Sequence, residues 1–163
     1  MNVRKHQIIQ LPEISIIRVT YLNDLCLAIT TGHCYGYRTL NDSWRKKGAR
    51  GSLYCDNNKN EMDGTNWFRF LEPAGTKLIS NDLGSGGYYC DTHISAWLDG
   101  ADPTIVGQTV DRRVCFSWNG NSSMYSKNIK VSLCKDNNNG QFLIYQLKKC
   151  PAGCSWAYCA ESN

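Results

Sequence analysis

The chain has 163 residues, enough for one domain with a core of its own and too few for two comfortable ones. With 42% hydrophobic residues and no stretch near the roughly 18 apolar residues in a row of a transmembrane helix, its composition excludes a disordered chain and a helical membrane span. Its 18 basic and 14 acidic residues are spread along the sequence, so the net charge of +4 favours solubility and gives no nucleic-acid footprint.

In chain order, the start MNVRKH carries positive charge. The stretch that follows is interrupted by Gln10, Glu13 and Arg18 and lacks a small-residue cleavage site. Two readings stay open: a start that lies upstream, which we favour, or a strand of the mature protein over residues 14–22. His33 sits beside Cys34 and reads as a packing or surface residue. The basic run Arg45, Lys46, Lys47 and Arg50 reads as a solvated loop after Trp44, and residues 48–64 as a long surface loop held by Cys55.

Strands are expected over residues 66–71, 77–80 and 109–118, divided by Gly- and Asp-rich stretches such as NDLGSGG at 81–87. WFRF alternates so that Trp67 and Arg69 share a face. DNNNG at 136–140 separates two β-type runs, 128–134 and 141–147, and predicts a hairpin. Helical periodicity is scarce. The expected fold is an all-β or β-rich small disulfide-stapled domain with short helices at most. The expected organisation is an N-terminal extension over 1–33, the domain over 34–160 and a tail over 161–163.

Nine cysteines are dispersed along the chain at Cys26, Cys34, Cys55, Cys90, Cys115, Cys134, Cys150, Cys154 and Cys159. Zinc sites want paired ligands at close spacing, twice over, and only Cys150, Cys154 and Cys159 lie close together. Disulfides and an oxidising, extracellular or cell-surface location are therefore expected, and no metal or other cofactor. An odd total leaves at least one thiol free or intermolecular.

Catalytic constellations are absent from the pattern. GSGG at 84–87 lacks the lysine and Ser/Thr of a P-loop. Asp99, Asp102 and Asp111 read as solvated loop carboxylates rather than as a glycosidase pair or a calcium set. Two N-glycosylation sequons stand in polar stretches, Asn41-Asp42-Ser43 and Asn121-Ser122-Ser123. They mark residues 41–51 and 119–127 as candidate exposed contact or glycan loops.

The ordered segments CYGYRTLNDSWR from Cys34, YCD ending at Asp56, NWFRF from Asn66 and AGTKL from Ala74 are followed by CDT from Cys90 and WLDGADP from Trp97. VDRRVC, IKVSLC, LIYQL and CSWAYC, the last from Cys154, complete the series. Together they resemble the cysteine-rich domain shared by uromodulin, the major glycoprotein of pancreatic zymogen-granule membranes and oncoprotein-induced transcript 3 protein. The resemblance implies pairing of Cys34 with Cys134, Cys55 with Cys154, and Cys90 with Cys159.

The chain departs from the ten-cysteine form of that family. NDLGSGG stands where a cysteine precedes the CDT-like segment, and NSSMY stands where an adjacent cysteine pair follows the WLDG-like one. Cys115 then lacks its expected partner. Cys26 and Cys150 are extra, and the expectation is a Cys26–Cys150 bridge with Cys115 free or intermolecular. The function implied is an extracellular, non-enzymatic glycoprotein module for binding or glycan display, with a protein or glycan ligand as partner. A secreted lectin-like domain using Trp118 and Trp156 as sugar platforms is the alternative, and a small secreted hydrolase comes last.

Overall fold

The computed structural model describes residues 32–56, 59–80, 89–150 and 155–163. The strand considered at 14–22, Cys26, the 81–87 loop and Cys154 lie outside the described residues. Two single-turn 3-10 helices, Gly32–Cys34 and Ser43–Arg45, accompany a fold made of strands.

The strands are β1 (Arg38–Leu40), β2 (Phe68–Phe70), β3 (Lys77–Leu78), β4 (Ile94–Asp99), β5 (Thr109–Trp118), β6 (Asn121–Lys135), β7 (Gln141–Gln146), β8 (Trp156–Tyr158) and β9 (Ala160–Glu161). Seven form one sheet in the order β1-β2-β7-β6-β5-β4-β8, and β3 pairs with β9 in a second. β1 runs parallel to β2 and β8 parallel to β4, while the central strands are antiparallel.

Period-two alternation decides what each face of the large sheet covers. Phe68, Phe70, Ile94, Ala96, Leu98, Val114, Phe116, Ile129, Val131 and Tyr145 enter the main core, joined by Leu78 and Ala160 from the small sheet. Burying each of the larger apolar side chains contributes about 1.5–3 kcal/mol. The residues between them turn to the other face, where two smaller clusters form around disulfides. Cys34 and Cys134 pack with Ile144, Trp67 and Phe142; Cys90 and Cys159 pack with Ile79 and Trp97.

The expected strand at 109–118 is present over those residues, and the 128–134 run belongs to a longer strand. Asp136 closes the DNNNG hairpin: its Oδ1 accepts the Asn138 and Gly140 amides at 2.9 and 2.8 Å. Asn139 supplies the left-handed residue at φ 67°.

The 119–127 segment is a correction. It is no loop, because Trp118 pairs with Asn121 across Asn119 and Gly120, at φ 44° and 87°. Two positive φ values make the mirror-image turn that suits strand twist, and Asn-Gly is the sequence that favours it. β5 and β6 therefore continue as one long hairpin to that turn.

Two further corrections concern the stretch from Arg45 to residue 64. Arg45 is fully buried rather than solvated, and within the 48–64 loop Asp56 and Met62 are fully buried too. Lys46 and Lys47 do face outward, in ion pairs with Glu72 at 3.3 Å and Glu161 at 3.1 Å.

The glycine of the AGTKL segment has a steric reason. Gly75 has φ 110°, and a Cβ there would meet the Glu161 backbone at 2.8 Å, so a side chain would push β3 away from the C-terminal strand.

Asp63 opens a tight polar turn in which Oδ1 accepts the Thr65 hydroxyl at 2.6 Å and the Thr65 amide at 2.8 Å. The Thr65 hydroxyl bond is the largest cause that pulls this carboxyl down to about 2. A carboxyl lowered on folding adds stability above its unfolded value near 3.8, lost as pH falls through about 2. In Thr65→Val the carbon-detected NMR titration of Asp63 is expected to move up toward the ordinary carboxylate range; an unchanged titration would contradict the hydroxyl's role.

Candidate functional site

The cysteines fall into three groups. Cys34 is bonded to Cys134 and Cys90 to Cys159, with Cα–Cα distances of 5.6 and 5.7 Å. Cys55 is also disulfide-bonded. Cys115 and Cys150 are free and buried. A free Cys150 replaces the expected Cys26–Cys150 bridge: its side chain lies in the apolar main core, where burial pushes the thiol far up and away from thiolate chemistry.

Cys115 lies on β5 between core residues Val114 and Phe116, so its side chain turns to the face opposite Cys150. The two thiols are held apart by the sheet. Cys115 Sγ instead meets Ser123 Oγ at 3.2 Å. Ser123 belongs to the NSSMY segment that stands in place of the family's cysteine pair. In Ser123→Cys, oxidation is expected to join residues 115 and 123, so the alkylated, unfolded variant should carry one alkylated thiol fewer than the parent; one more than the parent would show that the two side chains cannot meet.

His33 stacks on Trp67 with ring centroids 4.7 Å apart, and its Nε2 lies 2.9 Å from Ser132 Oγ. That distance is in the range of a nucleophile and its base. Ser132 is nevertheless fully buried and also bonds the Gln108 carbonyl and the Thr109 hydroxyl, both at 3.1 Å. The pair is structural. His33, Cys34 and Cys134 also present ligand-type atoms within 4.8 Å of one another, but the disulfide occupies both sulfurs.

The acidic residues named from the sequence go to separate partners. Asp99 binds Arg113 at 2.5 Å and Asp111 binds Lys130 at 3.1 Å. Asp102 is half-buried at a cavity of about 420 Å³. Trp118 and Trp156 pack against the main core, Trp156 edge-on to Phe116 at 5.4 Å. Each keeps only part of its surface in solvent, which weakens them as open platforms for sugar stacking.

The sequons differ in setting. Asn41 is exposed, and the neighbouring Asp42 is tied to Arg45 at 3.0 Å. Asn121 is exposed at the first position of β6, beside the Asn-Gly turn, and its Oδ1 accepts the Ser123 amide at 3.0 Å. Met124 and Tyr125 follow with 40% and 39% exposure. Sequence reasoning missed the buried pair of Arg45 and Asp56; the one available signal was a basic residue directly after a tryptophan in the CYGYRTLNDSWR segment.

Fold and cysteine chemistry together define a disulfide-stapled β domain in which the bridges hold short outer segments to a central antiparallel sheet. Residues 68–160 match the family model of the uromodulin-like cysteine-rich domain, and the chain belongs to that family. Among similar proteins, the pancreatic secretory granule membrane major glycoprotein GP2 of Canis lupus familiaris is 29% identical over 131 residues, 80% of this chain and 23% of that protein. The GP2 of Rattus norvegicus matches with the same identity and coverage. The chain thus spans about a quarter of the length of these relatives.

Proposed function

We propose that this chain is an extracellular, non-enzymatic display and binding module, with the distal β5–β6 hairpin as its presenting surface. The observation that carries the reading is the sequon at Asn121. Its carboxamide oxygen accepts the Ser123 amide, the residue is exposed beside the Asn-Gly turn, and part-exposed Met124 and Tyr125 follow it on the same strand. A glycan there would stand at the turn end of the long β5–β6 hairpin, with part-exposed Met124 and Tyr125 on the two faces of the same strand, a combination suited to a protein or glycan partner. The cysteine chemistry supports an oxidising compartment, and the likeness to secretory-granule glycoproteins supports a glycosylated one. Asn41 is the second site in this reading.

The test is intact-mass analysis of the chain secreted from a eukaryotic host, with Asn121→Gln and Asn41→Gln beside it. Glycan mass that disappears in Asn121→Gln supports the reading. A chain secreted in folded form without any glycan would end it.

A further inference from the structure

We propose that the cavity at the end of the large sheet, where β2, β6 and β7 meet the loop 102–104, binds one neutral sugar residue through Asp102. The cavity has a volume of about 420 Å³, within the range of ligand sites and ample for a single pyranose ring. Leu71, Leu133 and Leu143 form an apolar wall, while Asp102, Thr104 and Gln141 supply polar atoms. A pyranose has the matching division, with a C–H face that packs on aliphatic side chains and an edge of hydroxyls that donate and accept.

Asp102 is what singles this cavity out. Asp42 and Asp56 hold Arg45, Asp63 holds Thr65, Asp91 accepts the Ser52 and Leu53 amides, Asp99 holds Arg113, Asp111 holds Lys130 and Asp136 closes its hairpin. Alone among the described aspartates, Asp102 has no hydrogen-bond donor from the described residues, although it is half-buried. A half-buried acceptor with nothing to accept is costly unless something else supplies the donor. The side chains of Thr104 and Gln141, both exposed, line the same space and make no hydrogen bond with described residues, which leaves them available to a ligand there.

Charge selects the class of ligand. The charged side chains in the cavity wall are Asp102 and Arg69, one of each sign, while Lys77, Arg112 and Glu161 act on Asp102 from outside the lining. Inside the wall a cation would meet Arg69 as a like charge and an anion would meet Asp102. A neutral ligand with several hydroxyls avoids both penalties and gives the carboxylate two donors at once. This site is distinct from the Asn121 hairpin and does not depend on the display reading.

The test uses the full chain, labelled with nitrogen-15 and titrated with the methyl glycosides of mannose, galactose and N-acetylglucosamine, with n-butylammonium and inorganic phosphate as charged probes. The expected result is saturable shifts of the Thr104, Gln141 and Leu143 amides with at least one glycoside, and none with the charged probes. Asp102→Asn is expected to weaken that glycoside at least about tenfold. Thr104→Phe, which fills the cavity from an exposed position, should abolish the shifts while the rest of the spectrum matches the parent, and it decides the matter if Asp102→Asn does not fold. Silence with all three glycosides, shifts with butylammonium or phosphate at the same amides, or unchanged affinity in Asp102→Asn would overturn the proposal. A missing glycan mass tests the display reading alone, and a silent titration tests this one.

Discussion

Arg45→Met is expected to destabilise the domain by about 3–5 kcal/mol, because it leaves the charge of Asp56 buried and unpaired. Both side chains are fully buried. The guanidinium meets Asp56 through two bonds, Nη1 to Oδ2 at 2.8 Å and Nη2 to Oδ1 at 2.5 Å, and adds Nε to Asp42 at 3.0 Å. Its Nη1 also reaches the Tyr158 carbonyl at 3.3 Å, while Asp56 Oδ2 accepts the Tyr158 amide at 2.9 Å. Trp44 covers the guanidinium at 4.1 Å.

Burial works against the arginine's charge, yet the attraction and hydrogen bonds of Asp56 and Asp42 outweigh it and leave Arg45 more firmly protonated than in water. Since native stability is typically about 5–15 kcal/mol, the single variant should lose a large part of it. Arg45→Met combined with Asp56→Leu is expected to lose less than Arg45→Met alone, since no charge is then stranded. Urea denaturation followed by tryptophan fluorescence reads both. A loss below about 1 kcal/mol in the single variant would mean that water reaches Asp56 and the pair is not sealed.

The second large effect belongs to the bridge between Cys34 and Cys134, which are 100 positions apart in sequence. Replacing both with serine is expected to cost about 2–5 kcal/mol, since a loop that long gains much conformational freedom in the unfolded chain once its ends are no longer joined. At about 4 kcal/mol the thermal midpoint of a domain this size should fall by roughly 8–16 °C. The Cys90–Cys159 bridge, 69 positions apart, should cost slightly less on entropy grounds, by about 0.3 kcal/mol.

Removing the Cys34 bridge leaves the first 3-10 turn without its covalent link to β6, held there by the His33–Ser132 bond and the His33–Trp67 stack. Loss of that stacking should appear as a change in the near-ultraviolet circular dichroism before global unfolding. A thermal midpoint unchanged within about 2 °C would show that packing around Phe142 and Ile144 holds the segment without the covalent link.

These two effects also show where sequence reasoning stops. The β6–β7 hairpin was legible because DNNNG separates two β-type runs, and β5 was legible as a strand, but the far half of the β5–β6 hairpin over 119–127 was read as a loop. β4 was not legible, because its run ISAWLD shows no alternation: Ile94, Ser95, Ala96 and Leu98 are all buried in a strand that has neighbours on both sides. β1 and β8 have three residues each and β9 two, too few for any period to show. The Asn119-Gly120 turn carried a strong local signal, masked by the sequon that follows it.

At the candidate sites, exposure of the two asparagines and the identities of the cysteines could be read from residue type and pattern. The pairing of polar groups could not be read that way. Arg45 stands in a basic run that looks solvated in one dimension, and only the fold brings Asp56 and the Tyr158 strand around it. Likewise Asp99, Asp102 and Asp111 look alike as letters, while the fold gives two of them a cation and leaves the third at a cavity without a donor from the described residues.

What the sequence by itself determined is the class: nine cysteines in a chain of this size demand oxidation, and alternating β-branched and aromatic runs demand a sheet. Tertiary structure alone decided which polar groups are satisfied and which thiols remain free. The reason is that strand formation and disulfide chemistry follow from local composition, whereas burial and pairing are settled between residues tens of positions apart. Cys115 and Cys150 are separated by one sheet, and no spacing along the chain records on which face each will lie.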